Sequence, residues 1–320
     1  MISKHIYQSV LKVQTRTELV ELLYQNVLYN EGGVIAINKP YGLRNGMRFE
    51  DPLDAKFKNV NHFNFSLTEV LPLLASMLNV PDLTVARSPE KFASGVTLLN
   101  VNNEAGIKIS KAVKHPTSPA VYSYQAVCHG VPLLSSNNGE RLGLSTNEND
   151  QSVKLSTNQT EKKIIKKKMK QIYYKHKVLN TNPDLNSSLV EVSTNRILWY
   201  YVPLYLATRL LTPVIGDQIH GNSVQYLFGK PVLLPMFNVT GFNPQKLPED
   251  ICKRLEIDVT DSLLIPNHLH LSSVTLYHFS RKEPKHLTIH APPPPHFQWT
   301  CSQLRLWNEP ENLLPVEVAF

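Results

Sequence analysis

Cysteine is scarce in this sequence: Cys128, Cys252 and Cys301 are far apart, and no Cys-x-x-Cys pair occurs. A disulfide scaffold or a zinc ribbon needs closely spaced or even-numbered cysteines, so neither is supported. A reducing compartment inside the cell fits this composition. Histidine supplies no alternative set of ligands, because His268 and His270 alternate on one strand without further ligands at a metal-binding spacing. We therefore predict no metal site.

Long apolar runs are missing as well. The most hydrophobic stretch, 197–208, has 12 residues and contains Pro203, whereas a membrane span needs ~20 apolar residues. A buried strand or a short helix suits this stretch better. Apolar residues still make up 42% of the 320 residues, enough for a sizeable core. We expect a folded protein without a membrane span, of about two average domains or one large one.

Acidic residues are absent from residues 1–17, which carry Lys4, Lys12 and Arg16. Apolar residues recur there at roughly helical spacing among hydroxyl and basic residues, which is typical of a mitochondrial presequence. We predict a presequence over 1–17 and a folded domain over 18–320; the alternative is the first turn of an ordinary basic helix. The net charge of +7 suits either a polyanionic partner or a basic compartment.

Strand and helix patterns are interspersed along the chain without a regular βαβ repeat, which favours an α+β fold around a mixed, largely antiparallel sheet flanked by helices and loops. Segment 135–160 is different in composition, because 15 of its 26 residues are Ser, Thr, Asn or Gln. We predict a surface loop or disordered insert there. Strands are predicted at 34–37, 96–101, 122–127, 187–193, 232–237 and 268–277, and helices at 66–78, 104–113 and 248–255.

A collinear set of short motifs between residues ~30 and ~300 resembles the RluA-type RNA pseudouridine synthases. Each motif alone is weak, but their order along the chain makes the set specific. The C-terminal half most resembles the mitochondrial mRNA pseudouridine synthase branch of that family. The motifs are Lys39-Pro40-Tyr41-Gly42-Leu43 after a strand, Ser94-Gly95-Val96-Thr97-Leu98-Leu99, Tyr124-Gln125-Ala126-Val127, Pro213-Val214-Ile215-Gly216-Asp217, His268-Leu269-His270-Leu271 and Ala291-Pro292-Pro293-Pro294-Pro295-His296-Phe297.

The resemblance implies a pseudouridine-synthase-like sheet and the isomerisation of uridine to pseudouridine without a cofactor. It also implies an RNA partner, either mitochondrial mRNA or rRNA, and a location in the mitochondrial matrix. The oligomeric state is left open.

The catalytic signatures depart from the family pattern. The loop "His-Arg-Leu-Asp-x-x-Thr-Ser-Gly" corresponds to residues 86–95, where the Asp position falls on Glu90, or on Pro89 if Arg87 is matched to the family Arg. Counted back from Gly216, the second signature, "Gly-Arg-Thr-His-Gln-Ile-Arg", places Leu204 where the family has the Arg that pairs with the Asp. The family reaction relies on that Asp and on its cationic partner, so these changes favour a crippled or non-catalytic site; an active enzyme with a rearranged acid is the alternative.

The resemblance also assigns roles to other residues. Tyr124 occupies the position of the aromatic residue that stacks on the target uracil, although an ordinary core tyrosine is the alternative. Lys39 is expected to line the cleft and to contact RNA, with a salt bridge on the scaffold as the alternative. Arg87 is expected to contact a phosphate, with a solvated loop arginine as the alternative. Tyr122 replaces the Lys that precedes the stacking tyrosine in the family.

Lysines are concentrated in residues 161–177, where eight of them stand against one glutamate. Such a density suits the neutralisation of RNA phosphates, whereas a solvated charged segment is the simpler interpretation. We predict RNA contacts for six of these lysines: Lys162, Lys163, Lys166, Lys167, Lys168 and Lys170.

Two functions remain open on sequence grounds. One is an RNA-modifying isomerase in which Glu90 replaces the family Asp. The other is a non-catalytic RNA-binding or assembly factor on the same fold.

Overall fold

The computed structural model describes residues 5–9, 13, 15–46, 63–114, 120–146, 153–157, 169–197, 201–234, 245–279 and 285–307. Eleven of the described strands form one sheet, and two form a separate hairpin. Their bounds are β1 Val27–Glu31, β2 Val34–Lys39, β3 Thr84–Arg87, β4 Ser94–Asn100, β5 Tyr122–His129, β6 Glu140–Thr146, β7 Val153–Ser156, β8 Lys170–Asn182, β9 Ser187–Thr194, β10 Val224–Leu227, β11 Lys230–Leu233, β12 Leu269–Leu276 and β13 Leu287–His290.

The main sheet runs β1-β2-β4-β12-β5-β9-β8-β6-β7, with β3 paired to β4 and β13 paired to β12. Among the described pairs, β4 and β12 run parallel, and the others are antiparallel. Strand β12 therefore joins the N-terminal strands to the strands of the middle of the chain. The predicted α+β class with a mixed, largely antiparallel sheet is confirmed.

Seven α-helices and one 3₁₀ helix accompany the described strands. Thr15 begins the helix Arg16–Gln25 with a reciprocal capping box, because its hydroxyl accepts from the Glu18 amide and the Glu18 carboxylate accepts from the Thr15 amide. The Glu69 carboxylate accepts from the Ser66 amide in the same way at the start of the helix Leu67–Met77. The helices are α1 Ile6–Ser9, α2 Arg16–Gln25, α3 Leu67–Met77, α4 Asn103–Val113, α5 Tyr201–Arg209, α6 Glu249–Arg254, the 3₁₀ helix Val259–Leu264 and α7 Pro295–Gln303.

The core lies on both faces of the sheet, which explains the continuous apolar run of β2. Val34 and Ala36 face one apolar cluster with β5, β9 and α5. Ile35 and Ile37 face another, formed with α2 and α3. A strand buried on both faces reads as an unbroken hydrophobic stretch rather than as an alternating one. None of the helices in the described part of the chain is long and apolar enough to cross a membrane.

The segment predicted to be a presequence contributes to the core at Tyr7. This side chain has no exposed surface, and its hydroxyl lies 2.7 Å from Thr300 Oγ1. His5 Nε2 lies 2.9 Å from the carbonyl oxygen of Leu255. Residues 5–9 are therefore part of the folded domain, and the boundary at residue 17 stays a prediction.

Segment 135–160 differs from the predicted loop or insert, because it contains β6 and β7. Its first residues continue the sheet: the Val178 amide donates to Ser135 O at 2.7 Å, and the His176 amide donates to Asn137 Oδ1 at 2.9 Å. Polar side chains that satisfy backbone groups of a neighbouring strand stabilise order rather than disorder. The prediction was wrong for β6 and β7; residues 147–152 and 158–160 lie outside the described part.

Other differences are local. Of the two structures open for 197–208, the helix α5 forms. The strand predicted at 232–237 is observed as β11, and residues 235–237 lie outside the described part. Residues 291–294 of the proline run form neither helix nor strand, and α7 begins at Pro295, because proline is favoured in the first turn of a helix.

Candidate active site

Glu90 lies in loop 88–93, between the antiparallel strands β3 and β4. Lys39 anchors this loop from the end of β2. Its Nζ donates hydrogen bonds to the carbonyl oxygens of Leu43, Glu90 and Ala93, each at 2.9 Å. One ammonium group therefore fixes the turn after β2 and the loop that carries the candidate carboxylate.

Lys39 does not line a cleft, because its side chain has no exposed surface. The predicted RNA contact of Lys39 is replaced by a role in the scaffold, since its hydrogen bonds go to backbone carbonyls. Burial lowers the pKa of Lys39 to about 7, and the charge of Glu90 acts in the opposite direction. The two side chains are close enough to influence each other electrostatically.

Further hydrogen bonds hold the same loop. Ser88 Oγ donates to Asn45 Oδ1 at 2.6 Å, and Asn45 Nδ2 donates to the carbonyl oxygen of Pro89 at 3.1 Å. Pro89 is buried, whereas Glu90 is half-buried. Of the two positions considered for the family Asp, only Glu90 presents a carboxylate.

Tyr124 lies on β5, between Val192 of β9 and Leu271 of β12. Only 5% of its side chain is exposed. Burial raises the pKa of Tyr124 well above its ordinary value, and the charge of Glu90 raises it further. The charge of Glu90 therefore acts on Tyr124. Base stacking stays a prediction and requires that the ring be uncovered.

Arg87 lies beside Tyr122. Tyr122 is two residues before Tyr124, so the two tyrosines share one face of β5. Burial raises the pKa of Tyr122 to about 12, although the nearby Arg87 guanidinium, which hydrogen-bonds the tyrosine, lowers it. The predicted phosphate contact of Arg87 stays a prediction. In the structure its guanidinium is directed to a tyrosine that stands where the family has a lysine.

Helix α5 provides the opposite side of the site. Leu204 is 2% exposed and belongs to the central core cluster. Tyr201, one turn earlier, is half-buried; burial raises its pKa, Glu90 raises it further and Arg196 lowers it. The charge of Glu90 thus acts on Tyr201 of this helix, and the charge of Arg196 acts on the same tyrosine in the opposite direction.

The strand junction beneath the loop is polar and close-packed. Ser94 Oγ lies 2.9 Å from His270 Nδ1, and His270 Nε2 lies 3.0 Å from the carbonyl oxygen of Ala291. Burial lowers the pKa of His270 to about 4, so its ring is neutral at physiological pH. Because the carbonyl can only accept, Nε2 carries the proton, and Nδ1 accepts from the Ser94 hydroxyl.

Most of the predicted lysine cluster lies outside the described residues: Lys162, Lys163, Lys166, Lys167 and Lys168. Lys170 begins β8 and is exposed. Within the described ranges, no group of three His, Cys, Asp or Glu side chains could hold a metal ion.

No family model matches the chain. Mitochondrial mRNA pseudouridine synthase RPUSD3 of Homo sapiens is 26% identical over 304 residues, which cover 91% of this chain and 80% of that protein. Pseudouridylate synthase RPUSD4, mitochondrial, of Danio rerio is 24% identical over 298 residues, covering 86% of this chain and 72% of that protein. The structure of human RNA pseudouridylate synthase domain containing 4 matches with a TM-score of 0.66 and 21% identity, over 92% of this chain and 98% of that chain.

The chain is similar over most of its length to proteins named mitochondrial pseudouridine synthases, and its fold matches that of a solved pseudouridylate synthase domain protein. The structural likeness is one of fold, and the sequence likeness to named relatives extends over nearly the whole chain. The predicted resemblance is thus confirmed, and the site can be compared with the family motifs residue by residue.

Sequence reasoning missed two residues of this pseudouridine synthase homologue, Tyr201 and Arg196. Counting back from Gly216 placed the last Arg of the second signature on Leu204, which the structure buries in the core. Counting forward from the end of β9 instead matches Asn195-Arg196 to "Gly-Arg" and places the last Arg on Tyr201. The two counts therefore place the last Arg at positions three residues apart, Tyr201 and Leu204. The end of strand β9 is the sequence signal that could have pointed to Tyr201.

Proposed function

We propose that this pseudouridine synthase homologue binds mitochondrial RNA and acts on uridines at the site around Glu90. The observation that carries the proposal is the anchoring of loop 88–93, because Lys39 holds the backbone on which the carboxylate stands. Relatives named mitochondrial mRNA pseudouridine synthase support RNA as the substrate. Messenger RNA and the mitochondrial matrix are the substrate and location that we propose within this scheme.

The reaction breaks a C–N glycosidic bond, turns the uracil and forms a C–C bond, and it requires a flipped-out nucleotide. In this chain, Glu90 is the carboxylate that stands in for the family Asp. The cationic influence on it comes from the buried Lys39 ammonium rather than from an arginine at Tyr201. The longer side chain of glutamate and the changed partner together predict slow turnover, since a shift of ~1 Å can cost about 100-fold in rate.

A second function, a non-catalytic RNA-binding factor, is favoured by two observations. Tyr124 is almost fully covered, and a tyrosine occupies the helix position that faces Glu90. Under this alternative, the fold retains an RNA surface while the chemistry is lost.

Pseudouridine mapping of mitochondrial transcripts distinguishes the two functions. Cells that lack the protein would be complemented with the natural chain, with Glu90→Gln, or with Glu21→Gln, which removes an exposed charge from α2. We expect Glu90→Gln to abolish pseudouridine at the dependent sites while purified protein keeps its RNA affinity. Equal pseudouridine levels with Glu90→Gln and with the natural chain would exclude catalysis by Glu90. The absence of any site whose pseudouridine depends on the protein would instead favour the non-catalytic function.

The mitochondrial location needs a test that respects the packing of Tyr7. Deletion of residues 1–17 would remove a buried side chain as well as any targeting signal. Fusing residues 1–17 to a fluorescent reporter isolates the signal, and we expect mitochondrial fluorescence. A diffuse cytosolic reporter would exclude a presequence in this segment.

A further inference from the structure

Strand β8 presents lysines on the face of the sheet opposite to Tyr124. Lys175 and Lys177 are exposed, whereas Tyr174 and His176 between them are buried. Side chains alternate between the two faces of a strand, so the two lysines share one face. Val192 of β9 lies directly opposite both Tyr124 and His176, so these three side chains share one face of the sheet. Lys175 and Lys177 therefore lie on the other face.

Neighbouring strands extend this face. Arg141 of β6 is exposed and lies directly opposite Tyr173, which precedes Lys175 on the same face. We call Arg141, Tyr173, Lys175 and Lys177 the β8 basic face. It combines three cations with one aromatic ring on two paired strands.

The acidic compensation on this face is uneven. Lys177 lies opposite Glu191 of β9, whereas Lys175 lies opposite Ser193. Residues directly opposite on an antiparallel pair have Cβ atoms about 5 Å apart, so Glu191 partly offsets the charge of Lys177. Lys175 has a neutral cross-strand neighbour and is expected to attract an anion more strongly.

The backbone under the basic face is fixed in place. The Tyr173 amide donates to Asn195 Oδ1 at 3.0 Å, and its hydroxyl lies 3.5 Å from the carbonyl oxygen of Asn138. Gly139 has a positive φ of 98°, and a Cβ there would overlap the Tyr173 ring, so the ring lies across the glycine. The charged side chains therefore project from a rigid platform, which reduces the entropy lost when they bind.

We infer that the β8 basic face binds the phosphate backbone of an RNA segment separate from the segment that enters the Glu90 site. The inference rests on the proposed function, because it assumes RNA as the substrate. Lysine and arginine neutralise phosphates, and an aromatic ring among them offers a surface for base stacking. The two sites lie on opposite faces of the sheet, so one RNA must bend around the protein or present two strands to reach both.

The test compares RNA lengths and matched charge changes. Lys175→Gln with Lys177→Gln removes two charges from the β8 basic face. Lys111→Gln with Lys253→Gln removes two exposed charges from α4 and α6 as the control. The probes are fluorescent single-stranded RNAs of about four and about 30 nucleotides, chosen around the site sizes of single-strand binders. Affinity is measured from 50 to 300 mM KCl by anisotropy.

We expect the Lys175/Lys177 variant to bind the long RNA about tenfold more weakly near physiological salt, with a slope of log K against log salt that is smaller by ~1.4. The short RNA and the control variant should show the behaviour of the natural chain, and Lys175→Gln alone should have a larger effect than Lys177→Gln. A slope for the long RNA equal to that of the control would overturn the inference while leaving the proposed function intact. Failure of the natural chain to bind either RNA would instead overturn the proposed function.

Discussion

Loop 88–93 and helix α5 form the two sides of the candidate site, and they have diverged from the family motifs in different ways. The loop keeps a carboxylate and a dense set of hydrogen bonds, centred on Lys39. The helix is built from apolar and aromatic residues, with Leu204 in the core and the ring of Tyr205 stacked on Tyr174 at 4.4 Å. The loop thus keeps its backbone anchor and its carboxylate, whereas the helix has a tyrosine and a leucine at the two positions matched to the family Arg.

The largest loss of stability is expected when a cation is placed on α5 at a position that is buried in the core. Leu204→Arg would bury an unpaired charge in the core and should destabilise the protein by roughly 3–5 kcal/mol or prevent folding. Tyr201→Arg places the same charge on a half-buried position near Glu90, and should cost about 1 kcal/mol or less. Urea denaturation of both variants checks this difference, and equal losses would contradict the assignment of Tyr201 as the residue that faces Glu90.

A smaller loss is expected on the loop side from Lys39→Met. The variant leaves three buried carbonyl oxygens without their donor, and each such group costs about 1–3 kcal/mol when partners are not replaced. We expect a loss of roughly 3 kcal/mol in the free energy of unfolding, together with weaker RNA modification. Lys111→Met on the exposed face of α4 is the control and should change stability by less than about 0.5 kcal/mol.

The natural chain and Lys39→Met can also be compared as a function of pH. Burial lowers the pKa of Lys39 to about 7, against an ordinary value of about 10.4 in the unfolded chain. Between these values the unfolded chain binds more protons, so Lys39 makes folding more favourable as the pH rises from 7 to 10. The stability difference between the natural chain and Lys39→Met should therefore widen over this range. A constant difference would mean that the ring of carbonyl oxygens keeps Lys39 protonated.

The smallest effects come from single hydroxyl groups on the two sides. Ser94→Ala removes the donor to the buried His270 Nδ1 and should cost about 1–2 kcal/mol. Thr208→Ala removes a hydroxyl that donates to the Leu204 carbonyl within α5. Its loss should change stability by less than about 0.5 kcal/mol, since a helical carbonyl has other partners. Thermal denaturation ranks the two; a larger loss in Thr208→Ala would show that α5, not the loop, depends on local polar contacts.

Local patterns predicted β2, α3 and β5 well, because an apolar run, a capping pair and an alternating strand are each encoded by neighbouring residues. The burial of Lys39 was not predictable in this way, since its acceptors come from the turn after β2 and from a loop some fifty residues later. The order in 135–146 was missed because polar composition was interpreted as disorder, although Asn137 uses its polarity to bind β8. The match of Leu204 to the family Arg assumed a constant length between two motifs and stays a prediction, because counting from the other motif gives Tyr201.

The sheet around the Glu90 loop cannot be completed until strand β12, late in the chain, has been synthesised. This strand lies between β4 and β5, which follow each other directly in the order of strands along the chain. It also packs against Gly95, which has a φ of 121° and where an added Cβ would overlap the carbonyl group of Leu271. A chain that has emerged only as far as β9 holds two separate half-sheets, with the Glu90 loop at an unpaired edge. Such long-range pairing makes folding slow. It also leaves an exposed edge on any partially synthesised chain, so aggregation is expected of fragments that end before residue 269.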